Sequence, residues 1–174
     1  MDGAKFIPWT PKDEEKEFHP FVKSQSKRIF GEDTIYFDVE TALKTASGIV
    51  TIPDAYVIDL AVPNEWYAVE NELSTHSVYD HIVKQLTKFI NGIENQKSRL
   101  HILDLLYAEI NKDNTTRKTI IAKTGNVDVY NFLSKLFSKE PIIVVIIDEI
   151  TPELEEACHA LKVTPDIVEF KTFG

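Results

Sequence analysis

Three carboxylates carry the chemistry this sequence offers: Asp54, just after Pro53, and the pair Glu70 and Glu72 that brackets Asn71. Side chains alternate across a strand. Along residues 66–73 the two glutamates therefore share a face with Trp66 and Ala68, while Tyr67, Val69, Asn71 and Leu73 take the other. Asp54 lies in a neighbouring strand-like stretch with Ile52 and Tyr56 on its own side, which implies partial burial. If the two strands pair in register, Asp54 lies beside Glu70. Carboxylates brought together repel, and the usual remedy is a hard cation such as magnesium. An ion held by oxygens can activate water and stabilise the charge that builds on a phosphoryl group under attack. An E-x-E spacing alone most often marks a wet strand face. The proline-led bend at Asp54, its apolar neighbours and an unusual residue on the next helix weigh towards a site.

That residue is Gln85, three past Ile82 and four before Phe89, hence on the apolar side of its helix. A buried amide needs partners. It is either satisfied within the core or set to orient the carboxylates or a phosphate. His76 and His81 flank the start of the same helix. Five apart on a helix they do not share a face well, so the spacing predicts against a joint metal site. His81, four before Gln85, is expected to line the cleft, and His76 to sit at a cap or on the surface. Cys158 is the single cysteine, so no internal disulfide can form, and a place in the core is expected for it. No glycine-rich phosphate loop or Gly-x-Ser-x-Gly elbow is present.

The elements that must position these residues follow from periodicity and punctuation. Residues 13–30 suggest a helix broken or kinked at Pro20 and stopped at Gly31. Residues 34–44, 49–61 and 66–73 are expected strands, the second bent at Pro53, and short turns between them make an antiparallel meander. Helices are expected over 78–91, 97–112 and 127–138, with a short strand at 119–122. The apolar run 141–148 is a strand covered on both faces and central in its sheet. Thr151-Pro152 opens a helix, and residues 166–170 form a last strand, giving a parallel β-α-β crossover. The expected fold class is α/β: a mixed central sheet flanked by helices.

The 174 residues suit one domain, with residues 1–12 as a loose lead-in. No apolar run is long enough to span a bilayer, the N-terminus lacks a signal-peptide layout, and a cytoplasmic setting is the default expectation. The net charge of −9 argues at first against nucleic acid, but its distribution is uneven. Residues 84–123 hold 8 Lys and Arg against 4 Asp and Glu, and they form the basic part of an otherwise acidic chain. Phosphate binding needs local rather than global positive charge. Chance clustering on solvated helix faces would give the same count.

The stretch IPDAYVID … WYAVENELSTHSVYDHIVKQLTKF resembles the PD-(D/E)XK nuclease superfamily, which has the restriction endonuclease-like fold. Pro53-Asp54 matches its PD. Glu70-Asn71-Glu72 matches its (D/E)XK, with glutamate in place of lysine. Gln85 matches a glutamine that several branches carry on the following helix. The order helix, three-strand meander, helix, strand agrees as well.

The resemblance implies a magnesium- or manganese-dependent endonuclease that hydrolyses phosphodiester bonds in DNA. Asp54 and Glu70 would be the metal ligands, and Glu72 would take the place of the lysine that orients or deprotonates the attacking water. Either Glu72 is a working substitute, or the site has kept the fold and lost catalysis, leaving an inactive nucleic-acid-binding or protein-scaffold module. Members often add a glutamate from the first helix; Glu14, Glu15 and Glu17 are candidates, with Glu17 preferred, and Glu40 on the first strand is another. Lys84, Lys88, Lys97, Arg99, Arg117 and Lys118 would hold the duplex. The family also implies a homodimer, and a further domain or partner that supplies specificity, with this chain as the nuclease domain of a longer restriction or DNA-processing protein.

Overall fold

The apolar run Ile142–Ile147 can be satisfied only where both faces of a strand are covered, and it lies in the interior of the sheet. The computed structural model describes residues 8–38, 43–44 and 50–173. The chain runs through β1 (Pro8–Trp9), a π-helical segment (Glu14–Phe18), α1 (His19–Ser24), α2 (Ser26–Phe30) and β2 (Thr34–Phe37). It continues through β3 (Leu43–Lys44), β4 (Val50–Thr51), β5 (Ala55–Asp59), β6 (Glu65–Glu72) and a second π-helical segment (Val78–Val83). Next come α3 (Lys84–Ile93), α4 (Gln96–Lys112), α5 (Asn114–Thr124) and α6 (Val129–Phe137). The chain closes with β7 (Ile142–Ile147), α7 (Pro152–His159), β8 (Asp166–Glu169) and β9 (Thr172–Phe173). The protein is mixed α/β, with a five-stranded mixed sheet ordered β2-β5-β6-β7-β8 and seven α-helices among the described residues. No helix among the described residues is long and apolar enough to cross a membrane.

β2, β5 and β6 pair antiparallel, with β3 and β4 falling in sequence between the first two, and β6, β7 and β8 run parallel, with α7 crossing between the last two. Alternation along the strands sorts the apolar side chains into two cores. Tyr56, Trp66, Ala68 and Val145 pack with Leu86 of α3, Leu106 of α4 and Leu133 of α6. Val57, Val69, Val144 and Ile146 pack with Phe18 and Val22 from the first helical layer. The sheet therefore lies between two helical layers. Glu70 and Glu72 inherit the parity of Trp66 and Ala68, the face expected for them.

Several elements differ from the periodicity. The strand expected over 34–44 ends at Phe37, and Leu43–Lys44 pairs instead with Val50–Thr51 in a separate antiparallel pair. Pro53 divides the second expected strand, which leaves Asp54 at a bend ahead of β5. The first helix breaks at Gln25 rather than at Pro20. Pro20 falls in the first turn of α1, where a missing N–H costs little, and a π-wound turn leads into it. Residues 8–9, in the expected lead-in, pair antiparallel with residues 172–173.

Residues 119–122, expected as a strand, are helical. Asp113 caps α5 by accepting from Thr115 N–H at 2.9 Å and also from the Thr116 hydroxyl, and Gly125 closes the helix in the left-handed region (φ 70°). The caps outweigh the strand preference of the β-branched run Thr119-Ile120-Ile121. Asp113→Ala should lower stability by about 1 kcal/mol, the usual worth of an N-cap, with loss of helical circular dichroism on chemical denaturation at a lower midpoint. Unchanged stability would contradict a capped helix there.

Candidate metal centre

The carboxylates meet where β6 leaves the sheet. Ala55 pairs with Val69, so the next residue back, Asp54, reaches the level of Glu70. Asp54 N–H donates to Val69 O at 3.1 Å, and its Oδ2 accepts from Asn71 N–H at 2.6 Å. Those two bonds fix Asp54 against β6 in the register expected from the sequence. Glu70 is 3 % exposed and Glu72 is 1 % exposed. Glu70 Oε1 is buried without a hydrogen-bond partner.

A tight turn follows the strand. His76 N–H donates to Leu73 O at 2.9 Å, folding the chain back over Glu72. Asp148, at the end of β7, anchors this turn by accepting from Ser74 N–H at 2.6 Å and from its hydroxyl at 3.2 Å. His76 Nδ1 consequently lies 2.9 Å from Glu72 Oε2. The second π-helical segment brings His81 Nε2 to 3.6 Å from the same oxygen. The two imidazoles meet edge to face at 4.6 Å, contrary to the expectation from helical spacing. His76 precedes the helix, whose cap is Ser77, so a helical wheel does not describe the pair. From the opposite side Glu14 Oε2 reaches His76 Nδ1 at 3.1 Å. One donor atom from each of Glu14, Glu72, His76 and His81 lies within 4.8 Å of the others, a set that could hold a metal ion. His19 Nδ1 stands 3.9 Å from Asp54 Oδ1, and Asp54, His19 and Glu14 line an open cleft of about 640 Å³.

The electrostatics follow from burial and crowding. Desolvation, reinforced by the Glu72 and Asp54 charges, pushes the Glu14 carboxyl up to about 7. Glu70 is raised well above the ordinary carboxylate range, first by burial and then by Asp54, Glu72 and Glu14. Burial also raises Asp54, against the pull of His19 and the Asn71 N–H. It raises Glu72 too, against its hydrogen bond to His76 and the charge of His81. An unpartnered buried oxygen such as that of Glu70 costs about 1–3 kcal/mol, and more when charged. A divalent cation is the kind of group that removes both penalties.

The remaining expected residues scatter. Gln85 is half-buried, and its amide nitrogen lies 3.4 Å from His81 Nε2, one residue removed from the carboxylates. Glu17 turns away to accept from Lys12 N–H at 2.8 Å, so the first-helix glutamate that reaches the cluster is Glu14. Glu40 lies outside the described residues. Arg99 pairs with Glu140 at 3.2 Å, just before β7 and hence at the end of the sheet remote from Glu70. Lys123 at the end of α5 likewise pairs with Asp33 just before β2, at that same remote end. Lys97, Arg117 and Lys118 are exposed on α4 and α5. Lys84 and Lys88 alone of the six stand on the helix that begins beside His81. Comparison with known protein families, curated proteins and solved structures finds no match to this chain.

Glu14 ordinarily titrates at 4.5 and here near 7, so between these values the folded state holds a proton that the unfolded chain has released. The slope of stability with pH is then negative: the contribution is fully present below 4.5 and is lost as pH rises through about 7. In chelator, the melting temperature should fall across this window by on the order of a few °C, and Glu14→Gln should flatten the fall. A profile that is the same in Glu14→Gln as in the wild type would contradict the cluster.

Proposed function

We propose that this chain is a metal-dependent nuclease of the restriction endonuclease-like kind, acting on the phosphodiester backbone of DNA with magnesium or manganese. The observation that carries this is the buried Glu70 carboxyl, with one oxygen unpartnered, beside Asp54 and Glu72 at the exit of a central strand. The antiparallel meander, the helix after it and the parallel strand β7 support the same fold. Asp54 and Glu70 fit a hard cation, because both are oxygen donors whose charges need offsetting and, among the described residues, neither pairs with a lysine or arginine. When bound, such an ion supplies a polarised water and draws off the charge that develops on the phosphoryl group.

The chain's own residues do the rest. Asp54 is preset by its bond from Asn71 N–H, so its free oxygen need not be ordered when a ligand arrives. Glu72 stands where the family has lysine. Its raised carboxyl, held against two imidazoles, can take a proton from water at a pH nearer neutrality than an ordinary glutamate would. Lys84 and Lys88, on the helix that begins beside His81, would meet backbone phosphate; Lys23 lines the cleft but pairs with Asp38 at 2.8 Å. Glutamate in place of the family's lysine, together with a net charge of −9, favours a second reading, in which the fold serves as a binding module without catalysis.

Plasmid nicking in Mg²⁺ or Mn²⁺ separates the two. Wild type should nick, Glu70→Ala should abolish nicking, and Glu72→Gln should slow it by about 10²–10⁴-fold, the range for a lost general base. No nicking by wild type in any divalent metal, with folding intact, would leave the binding module.

A further inference from the structure

The contacts of His76 contain a mismatch. Its single Nδ1 faces two carboxylate oxygens, Glu72 Oε2 at 2.9 Å and Glu14 Oε2 at 3.1 Å. One ring nitrogen carries at most one proton, and one N–H serves one oxygen well. Glu14 Oε2 is accordingly buried without a hydrogen bond. His81 Nε2 is placed in a similar way, 3.6 Å from Glu72 Oε2 and 3.4 Å from the Gln85 amide nitrogen. Next to them the buried Glu70 keeps an oxygen without a partner. Hydrogen bonds alone leave this corner short of positive charge.

We propose that Glu14, Glu72, His76 and His81 bind one borderline transition ion of the zinc class, through two carboxylate oxygens and two imidazole nitrogens. Bonds of about 2.0–2.2 Å in a tetrahedron set neighbouring donors about 3.4 Å apart. The observed separations of 2.9, 3.1 and 3.6 Å surround that value, and all four donors already lie within 4.8 Å of one another. The ligands come from a π-wound turn, a strand end, a tight turn and a second π-wound turn, so the pocket is held from several directions. The Glu72 side chain is 2 % exposed, and Asp148 anchors the turn that carries His76. Imidazole donors suit zinc, cobalt or nickel, whereas magnesium prefers an all-oxygen shell such as Asp54 and Glu70 offer. The donor set differs from that of the hard-ion pair beside it; Glu72 belongs to both readings, and an ion held through its Oε2 would leave only Oε1 to act on water.

The test uses the metal alone, without DNA. Titration calorimetry with Zn²⁺ in a large excess of Mg²⁺ should show one equivalent bound. Co²⁺ should give the intense visible bands of tetrahedral coordination on the wild-type protein, a readout that needs no variant. His76→Gln and His81→Gln, shown to be folded by circular dichroism, should each weaken Zn²⁺ binding by about 10–100-fold or more. Absence of Zn²⁺ binding in Mg²⁺, a weak octahedral Co²⁺ spectrum, or unchanged affinity in both folded variants would overturn the proposal. Zn²⁺ binding without plasmid nicking would sink only the nuclease, and nicking without Zn²⁺ binding would sink only this site.

Discussion

Repulsion between carboxylates that water cannot screen governs this end of the molecule. Asp54, Glu70, Glu72 and Glu14 converge at the exit of β6, and burial is the largest effect raising each carboxyl. Charged together, they would oppose folding; protonated, they would be stable and inert. The three histidines around them, His19, His76 and His81, offset part of the charge, yet oxygens of Glu70 and Glu14 still lack hydrogen bonds. A chain that only had to fold would be better served by apolar residues at positions 70 and 72, as at Ala68 and Trp66 on the same face. Strained electrostatics of this kind cluster at sites that bind or react.

The rest of the structure makes that arrangement reproducible. β7 is buried on both faces, and it fixes β6 through a parallel register in which Glu70 meets Val145 and Glu72 meets Ile147. β5 fixes the other edge, and Asp54 with it. Both helical segments that deliver further donors are π-wound, at Glu14–Phe18 and Val78–Val83. Such turns are uncommon and often mark functional sites, because they re-aim side chains relative to an α-helix. The Asp148 anchor on Ser74 ties the turn after β6 to the end of β7, so strand pairing and ligand placement are one constraint.

What could be read from the sequence was whatever a short-range period determines. Alternation in 66–73 placed Glu70 and Glu72 on the Trp66 face, and pairing of the meander brought Asp54 to them. The unbroken apolar run of β7 and the Thr151-Pro152 start of α7 were legible for the same reason, Thr151 accepting from Leu154 N–H at 3.2 Å. Residues 119–122 have strand-like β-branched composition, but Asp113 and Gly125 cap them as a helix. A helical wheel separates His76 from His81, but His76 lies before the Ser77 cap, where helical periodicity does not apply. Glu14 shares the face of the buried Phe18 four residues on, whereas Glu17 is drawn off by the Lys12 N–H, and that contact has no short-range signal in the sequence. The basic segment looked like one surface in sequence, whereas the ion pairs of Arg99 and Lys123 carry part of it to the opposite end of the sheet.

A divalent cation is the proposed partner of the buried Glu70 carboxyl, whose Oε1 has no hydrogen bond, and a crystal structure grown with Mn²⁺ tests this most directly. The anomalous difference map should place an ion in contact with an oxygen of Glu70 and an oxygen of Asp54. A well-ordered Glu70 in saturating Mn²⁺, with its free oxygen bonded only to water or to a neighbouring protonated carboxyl and no ion beside it, would contradict that claim.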